Sequence, residues 1–471
     1  MSDWYLPPDR FLDPEPTTRR VAFELYEAIT GLPIVSPHGH VDPCLFVDEN
    51  TRFGTPSELL ILPDHYILRM LYSQGVSFEA MGIPRRDGGA VETDPRKIWQ
   101  TFADHFYLFR ATPSGTWLTH EFKEVLGILQ RLTSENAQKI YDQVAEKLAS
   151  PEFTPRRLFE LFKIEVLSTT DPATDSLEAH AAIRKSGWQG RVIPTFRPDL
   201  VLNLENENWR ADVAALGRTS GIEVRDYGSY LEALRQQRSF FRSMGAVATD
   251  HGFRTPRIEP MLEAEAARIF QRALEGNPGS QVAEPFMAHM LFKMAEMSTQ
   301  DGLVMQIHSG SWRDYSPSIY QAFGHDRGAD IPLETHFSRP LQPLLACLGD
   351  ERRLRLILFT LDETAYAREL APLAGLFPVL RLGPPWWFHD SLNGMRRYFD
   401  QVVETAGIYN TVGFNDDTRA FLSIPARHDV WRRASANWLA GLVVRGIVAL
   451  DEAHAMAYDL AYRLAKEAYG L

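Results

Sequence analysis

Two histidines separated by one residue are the first feature of this sequence that could hold a metal ion. His38 and His40 lie directly after a short apolar run. In an extended segment, residues i and i+2 point to the same side and lie about 6.6 Å apart along the chain. Two imidazoles so placed can bind one ion at about 2.1 Å each. A histidine pair of this kind is more often an ordinary loop feature, so the metal hypothesis needs support from other residues.

A carboxylate near the other end of the chain could supply a third ligand. Asp416 and Asp417 follow another short apolar run and precede Arg419. Two histidines and one aspartate leave coordination positions open, as a catalytic metal site requires. Aspartate is also common in turns and at helix N-termini. That alternative stays open for Asp416 and is less favoured for Asp417.

Further polar and aromatic residues follow other short apolar runs. Arginines bind carboxylates in a bidentate manner, whereas histidine and aspartate exchange hydrogen bonds with hydroxyl groups. Together they indicate an anionic, hydroxylated ligand, although any one of them could be a solvated surface group. At least one of the two adjacent tryptophans also suits a hydrophobic core. These residues are Arg197, Asp250, His251, His308, Arg313, Trp386 and Trp387.

Eight short apolar runs, most of them separated by helical patterns, would position these residues. Strands that alternate with helices predict parallel βα units, and eight such units close a barrel with its active site at the carboxyl ends of the strands. We therefore predict an α/β fold, a distorted (β/α)8 TIM-like barrel. The predicted strands are Leu32–Val35, Ile164–Leu167, Arg191–Pro194, Ala246–Ala248, Leu303–Ile307, Leu354–Phe359, Val379–Leu382 and Thr411–Phe414.

The segment between the first two predicted strands contains helical patterns only. We predict a helical insertion after the first strand, at the rim of the barrel, with Ser134 and Thr154 as helix N-caps. The predicted insertion helices are Ser57–Ser73, Asp94–Phe109, Trp117–Gln130, Ser134–Leu148 and Thr154–Phe162. The predicted divisions are 1–43 for the N-terminal segment and first strand, 44–163 for the insertion, 164–427 for the rest of the barrel, and 428–471 for C-terminal helices packing on it.

Composition excludes several classes of protein. The 471 residues include 49 Lys and Arg against 61 Asp and Glu, a net charge of −12, which argues against binding to nucleic acid. Two isolated cysteines, Cys44 and Cys347, exclude a disulfide framework and a cysteine-based zinc site. No apolar stretch is long enough to span a membrane, and the N-terminal residues lack the pattern of a secretory signal. We expect a soluble, cytoplasmic protein.

Taken together, these motifs resemble the uronate isomerase (glucuronate isomerase) family of the amidohydrolase superfamily. The resemblance extends from about Pro33 to His428. It rests on the segments His38–His40, Asp64–Arg69, Ser168–Asp171, Phe196–Asp199, Asp250–Gly252, Gln306–His308, Trp386–Phe388 and Asp417–Ser423.

The resemblance implies an aldose–ketose isomerase acting on hexuronates. It would convert D-glucuronate to D-fructuronate and D-galacturonate to D-tagaturonate, by proton transfer from C2 to C1 through a cis-enediol. One divalent metal ion, expected to be zinc, would be held by His38, His40 and Asp417. Tyr66, Asp417 and Arg419, with His65 beside them, would surround the proton-transfer centre, and either Tyr66 or Asp417 would move the proton. The residues expected to bind the sugar acid are Arg197, Asp250, His251, His308, Arg313 and Trp386.

Two alternatives belong to other functional classes. One is a mononuclear zinc-dependent hydrolase or deaminase on the same barrel. It is less favoured because the fourth predicted strand is followed by Asp250 and His251 rather than lysine, and the sixth by Asp362 and Glu363 rather than histidine. The other alternative is a barrel that binds sugar acids without catalysis. Apart from a hexuronate, the only partner that we expect is a further copy of the chain, because barrels of this kind often self-associate.

Overall fold

A computed structural model describes residues 3–279 and 281–471. Within these residues, seven parallel strands follow one another around a barrel, and the eighth predicted run joins them through one bridge between Leu382 and Thr411. All eight runs overlap the predicted strands, so the prediction of a distorted α/β barrel is confirmed. The strands are Ile34–Ser36, Ile164–Ser168, Val192–Ile193, Ala248–His251, Val304–Ser309, Leu356–Thr360 and Leu380–Leu382.

The barrel is distorted where its two parallel sheets meet. One sheet contains the first three strands, and the other contains the fourth to the seventh. The second and third strands continue as Asp171–Pro172 and Phe196–Arg197, which pair with each other. Phe196 also pairs with Thr249 of the fourth strand. These short continuations therefore link the two sheets.

Backbone and side-chain hydrogen bonds join the loops that follow the first, second and eighth strands. The amide of His40 donates to the carbonyl of Thr418 at 2.9 Å. The hydroxyl of Thr170 donates to the carbonyl of Gly39, also at 2.9 Å. The histidine pair is consequently held from both sides at the carboxyl ends of the strands.

The segment between the first and second barrel strands is helical and has a hydrophobic cluster of its own. The helix predicted over Ser57–Ser73 is interrupted because Pro63 disfavours helical geometry at the residue before it. A new helix then begins, with the carboxylate of Asp64 accepting from the amide of Tyr66 at 2.8 Å. The helices, including short 3-10 and π turns, are Pro43–Phe46, Pro56–Leu60, His65–Ser73, Pro95–Asp104, Phe106–Phe109, Pro113–His120, Glu121–Val125, Ala137–Ala149 and Pro155–Leu161.

The two predicted N-caps of the insertion differ in outcome. Thr154 accepts a hydrogen bond from the amide of Arg157 at 3.4 Å and caps the helix after it. The helix predicted to start at Ser134 begins at Ala137 instead, because Asn136 bonds back to Thr133 in a turn. The division of the chain at residues 43, 163 and 427 stays a prediction.

Most of the remaining helices cover the outside of the barrel and enclose the largest hydrophobic cluster, whereas Asp199–Leu202 and Trp387–His389 lie at the cavity. Among the described helices, none is long and apolar enough to cross a membrane. Two short strands that follow the fifth barrel strand in the chain, Ser311–Trp312 and Ile331–Pro332, pair with each other in antiparallel orientation. The remaining helices and turns are Pro16–Ile29, Glu178–Lys185, Asp199–Leu202, Trp209–Ser220, Tyr227–Ser243, Glu263–Leu274, Ala283–Asp301, Pro317–Phe323, Ser338–Leu348, Tyr366–Leu370, Ala371–Leu376, Trp387–His389, Leu392–Ala406, Ile408–Asn410, Phe421–Ser423, Ile424–Val444, Leu450–Tyr458, Asp459–Arg463 and Leu464–Tyr469.

Candidate active site

Three side chains from distant parts of the sequence bring possible metal ligands together at the carboxyl ends of the strands. His38, His308 and Asp417 each offer one donor atom, and these atoms all lie within 4.8 Å of one another. The two imidazoles are buried and stack with their ring centroids 4.7 Å apart. Oδ1 of Asp417 lies 3.5 Å from Nε2 of His38. This cluster forms the floor of the site.

The environment of His308 fixes which of its nitrogens is available. Its Nδ1 donates to a carboxylate oxygen of Asp250 at 2.6 Å. Its Nε2 is buried and has no hydrogen-bond partner among the described residues. Metal-binding histidines are typically oriented by such a carboxylate on the other ring nitrogen. The unpartnered Nε2 therefore fits a metal ion.

His40 lies at the edge of this cluster. Its Nε2 is 3.1 Å from Oδ1 of Asp417, the same oxygen that faces His38. From the sequence, His38, His40 and Asp417 are the expected ligands, and His308 is expected to bind the substrate. The structure brings His308 into the donor cluster as well. The sequence signal for this position is that Gln306 and His308 are alternate residues of the fifth strand and therefore face the same side.

Burial and neighbouring charges set the protonation of the cluster. Burial lowers the pKa of His38 to about 4, so the ring is neutral near pH 7 and keeps a lone pair for an ion. Burial alone would raise the pKa of Asp417, but His38 and His40 outweigh it and hold that pKa well below its usual range. The neutral imidazole of His38 with the ionised carboxylate of Asp417 suits zinc and other divalent ions.

The two adjacent aspartates after the eighth strand face different neighbours. Asp416 accepts a hydrogen bond from Nε2 of His428 at 3.1 Å. Asp417 has a φ of +39°, a left-handed conformation that Asp adopts more readily than most residues. Such backbone outliers cluster at functional sites. This turn directs the carboxylate of Asp417, and not that of Asp416, to the histidines.

A cavity of about 600 Å³ lies at the carboxyl ends of the strands, and His40 and Asp417 are part of its lining. His65 and Tyr66, at the start of helix His65–Ser73, contribute to its wall. The hydroxyl of Tyr66 donates to the carbonyl of Trp387 at 3.2 Å. Burial raises the pKa of Tyr66 above its usual value, and burial lowers the pKa of His65 to about 3. Both side chains are therefore uncharged near neutral pH.

Arg197 also lines the cavity and is held by two carboxylates. Its Nε donates to Asp199 at 2.9 Å, and its Nη1 lies 3.4 Å from Asp250. A Cβ at Gly252 would lie 2.4 Å from Nη2 of Arg197. The glycine at this position therefore leaves space for the guanidinium group.

Arg419 and Arg313, the other two arginines expected to act in the site, are more exposed than Arg197. Nη2 of Arg419 donates to Asp326 at 2.9 Å, and both side chains are about two-fifths exposed. Nη1 of Arg313 lies 3.3 Å from Asp330, and its guanidinium sits 4.9 Å from the ring centre of Trp387. Exposed ion pairs are weak. A ligand carboxylate can therefore compete with Asp326 for Arg419, whereas Asp330, the partner of Arg313, is buried.

Trp386 and His251 lie in different environments. The ring of Trp386 meets that of His308 edge-on at 4.7 Å and lines the cavity. His251 is fully buried, and its Nε2 shares a hydrogen bond with the hydroxyl of Thr249 at 3.0 Å. Alternate residues of a strand point to opposite sides, so His251 faces away from the side of Asp250. The structure does not bring His251 to the cavity.

Arg427 is a cavity residue that was not predicted from the sequence. Its buried guanidinium forms an ion pair with Asp390, and its Nε donates a hydrogen bond to the hydroxyl of Ser423 at 3.1 Å. The guanidinium lies 3.6 Å from the ring centre of Trp117. It also lies near the ring of Tyr66, at 5.7 Å from its centre. Nothing in the spacing around Arg427 distinguishes it from an exposed arginine of an ordinary helix.

Comparison with known proteins gives one consistent family. The profile of the glucuronate isomerase family matches residues 10–469. A uronate isomerase of Nostoc punctiforme is 55% identical over 468 residues, which is 99% of this chain and 98% of the relative. The crystal structure of glucuronate isomerase from Caulobacter crescentus has 49% identity and a TM-score of 0.97, with 99% of this chain and 97% of that chain covered. A uronate isomerase structure from Thermotoga maritima has 28% identity and a TM-score of 0.91, covering 99% of both chains.

Proposed function

The chain belongs to the glucuronate isomerase family, and on that premise we propose that its cavity interconverts an aldohexuronate and a ketohexuronate. The substrates that we propose are D-glucuronate, converted to D-fructuronate, and D-galacturonate, converted to D-tagaturonate. One observation carries this proposal: the ionised carboxylate of Asp417 and the neutral phenol of Tyr66 line one cavity. Proton transfer at carbon needs both a base and a donor to the oxygen that gains charge.

His38, His308 and Asp417 are the residues that would hold a divalent ion, with His40 as a fourth donor. We propose zinc, because nitrogen and carboxylate donors in this combination suit it. A bound divalent ion would supply positive charge that favours an anionic sugar acid. The orphaned Nε2 of His308 is the feature that supports the ligand set.

Asp417 is the base that we propose. Its contacts with His38 and His40 both involve Oδ1, so Oδ2 is the atom that we assign to proton transfer. The C2–H bond breaks as an O–H bond forms on Oδ2, and the same proton then forms the new C1–H bond. In parallel, the proton of the O2 hydroxyl passes to O1, so that the aldehyde oxygen becomes a hydroxyl and C2 becomes the ketone carbon. In a cis-enediol, C1 and C2 are adjacent and present the same face, so one carboxylate can serve both atoms.

Tyr66 and Arg419 stabilise the oxygen atoms of the enediol. Tyr66 stays a neutral phenol and donates a hydrogen bond, while Arg419 adds a permanent positive charge. His65 is also neutral and contributes a hydrogen-bonding ring beside them. We propose that Tyr66 does not itself accept the proton from C2, because its pKa is raised and the phenolate is disfavoured.

The sugar carboxylate and hydroxyls are bound by the remaining cavity residues. Arg313 and Arg197 are the anion-binding groups that we propose, with Trp386 against the sugar chain. Asp250 keeps Arg197 oriented at the floor of the cavity. His251 was expected to bind substrate, and its outward position gives that expectation no support.

The experiment that tests the proposal is a ketose-formation assay with D-glucuronate and D-galacturonate as separate substrates. The protein is used as purified, after chelation, and after zinc is restored. We expect ketose from at least one uronate, and we expect incubation in deuterated water to label C1 when exchange occurs at the base. Absence of ketose from both uronates in the zinc-restored protein would overturn the proposal.

The same assay separates the two alternatives. A hydrolase or deaminase would act on amides, lactones or purines, and the family match does not favour it. A sugar-acid-binding barrel would be stabilised against heat by a uronate without forming ketose. A homo-oligomer and a cytoplasmic location stay predictions, of which the first is tested by light scattering at several protein concentrations.

A further inference from the structure

Tyr469 reaches the barrel interior from the side opposite the cavity. It ends the helix Leu464–Tyr469, and its ring packs with Ala248, Val304 and Val412. Two of these begin the fourth and fifth barrel strands, whereas the metal-ligand candidates follow the carboxyl ends of strands. The side chain is almost completely buried, yet its hydroxyl lies within the barrel and is hydrogen-bonded. None of the steps proposed above uses it.

The hydroxyl of Tyr469 is connected to the metal-ligand cluster by one side chain. It donates to Oε1 of Gln306 at 2.7 Å. Nε2 of Gln306 faces Nδ1 of His38 at 3.5 Å, a long contact, and the carbonyl of Thr249 at 3.4 Å. Gln306 is fully buried, so each of its polar atoms needs a partner within the protein. Tyr469 and His38 are therefore on opposite ends of one amide.

The orientation of that amide matters for metal binding. An imidazole that gives the lone pair of Nε2 to an ion carries its proton on Nδ1, and this N–H needs an acceptor. The amide of Gln306 supplies that acceptor when it turns over and places Oε1 toward His38. A tyrosine hydroxyl both donates and accepts, so it can pair with the amide in either orientation.

Tyr469 is needed more in one orientation than in the other. As the amide stands, Nε2 has the carbonyl of Thr249 as an acceptor, and Oε1 has Tyr469 as a donor. After the amide turns over, Nε2 occupies the position next to Tyr469 and depends on its hydroxyl oxygen. The hydroxyl proton of Tyr469 then needs a new acceptor, which the side-chain oxygen of Asn415 supplies when that amide turns over too. A buried N–H without an acceptor is rarer in proteins than an under-satisfied carbonyl. Loss of the hydroxyl would therefore penalise the orientation that suits metal binding.

We propose that Tyr469 is a positioning residue that acts through Gln306 to hold His38 in the tautomer and ring orientation required for a divalent ion. The inference rests on the metal site proposed above. Asn415 extends the contact to the eighth strand, since its Nδ2 lies 3.4 Å from the hydroxyl of Tyr469. The helix Leu464–Tyr469 thus lies on the side of the barrel opposite the cavity. Through Gln306 it is connected to His38, and through Asn415 to the chain segment that precedes Asp417.

The test compares Tyr469→Phe with Tyr462→Phe in the full chain. Tyr462 is the matched control because its hydroxyl is also hydrogen-bonded, to Glu165 at 2.6 Å, and it lies about two helical turns earlier in the same C-terminal segment. Zinc affinity of the metal-free protein is measured by competition with a chromophoric chelator, together with thermal unfolding of the metal-free protein. We expect Tyr469→Phe to weaken zinc binding about tenfold, as removal of an outer-shell partner does, and Tyr462→Phe to leave it unchanged.

A second variant keeps the inference testable if Tyr469→Phe does not fold. Gln306→Leu removes the connecting amide and leaves Tyr469 in place, so we expect the same loss of zinc affinity and no further loss in the double variant. Wild-type zinc affinity in folded Tyr469→Phe overturns the inference, and wild-type affinity in Gln306→Leu does so if Tyr469→Phe does not fold. Failure of the wild-type protein to bind zinc would instead remove the metal site and this inference with it.

Discussion

Nδ1 of His308 donates a hydrogen bond to Asp250 over 2.6 Å, and this bond turns the unpartnered Nε2 of the ring toward the other possible ligands. The same carboxylate lies 3.4 Å from Arg197. Burial would raise the pKa of Asp250, but Arg197 and His308 outweigh burial and keep it well below its usual value. One ionised carboxylate therefore orients both a metal-ligand candidate and a cation of the cavity.

Asp250→Asn should weaken zinc binding about tenfold or more, because an orienting carboxylate of this kind contributes that much to metal affinity. The zinc affinity of the metal-free protein is the quantity to measure. Asp199→Asn is the matched control, since Asp199 also pairs with Arg197 but does not contact His308. Equal losses in the two variants would contradict a specific role of the bond to His308.

Asp417→Asn should lose both zinc and activity. The substitution removes a negative ligand and the proposed base, and loss of a general base costs about two to four orders of magnitude in kcat. The metal content of the purified protein and kcat with a uronate are measured together. Asp416→Asn is the control, because its carboxylate bonds to His428 instead. A variant at Asp417 that keeps its metal and turns over normally would refute the assignment.

Arg419→Met should lower kcat by about a hundredfold or more while zinc content stays intact, since loss of one stabilising donor at a developing oxyanion has this size of effect. Arg327→Met serves as the comparison. Its Nε bonds to the carbonyl of Phe323, and it is a near neighbour of Asp326 in sequence. Near-normal turnover of the Arg419 variant would show that its pairing with Asp326 is structural only.

Tyr66→Phe should reduce kcat by about tenfold to a hundredfold without loss of metal, because the ring is kept and only a hydrogen-bond donor is removed. Burial raises the pKa of Tyr66, so its phenol stays protonated throughout the neutral and mildly alkaline range. The wild-type pH–rate profile should consequently show no decrease from this group up to at least pH 10. An alkaline decrease that disappears in the phenylalanine variant would mean that the tyrosine ionises.

The stability of the metal-free protein should depend on pH through its buried neutral histidines. Burial is the main cause that lowers the pKa of His251 to about 3; Asp250 opposes this shift, and Arg238 and Arg197 add to it. The unfolded chain titrates near pH 6.5, so between about pH 6.5 and 3 it binds more protons than the native state. The contribution of His251 to the free energy of unfolding therefore decreases as the pH falls from about 6.5 to about 3.

This linkage is checked by comparing wild type with His251→Gln in denaturant at pH 7 and pH 5. Glutamine keeps a polar side chain near Thr249 but has no proton to take up. The difference in the free energy of unfolding between the two pH values should be smaller in the variant. Equal differences would mean that the imidazole takes up protons to the same extent in the native and unfolded states, which would contradict a lowered pKa.

Much of the architecture is encoded locally. Short apolar runs bounded by turn residues predict strands, and their alternation with helical patterns predicts a parallel barrel, because each depends on residues that are neighbours in the chain. Even the interruption of the predicted helix at Pro63 has a local cause that could have been recognised. The position of His38 and His40 after the first strand, and of Asp417 after the eighth, also follows from the sequence alone.

What the sequence could not decide is which of two adjacent side chains faces the cavity and which distant groups meet there. Asp250 and His251, like Asp416 and Asp417, differ by one residue, and strand alternation or a single left-handed φ sends one inward and the other elsewhere. His308 reaches His38 only because the strands between them wrap around a common axis. Tyr469 and Arg427 belong to helices whose local patterns indicate nothing but packing. Their contacts depend on how the barrel closes, which is a property of all the strands together.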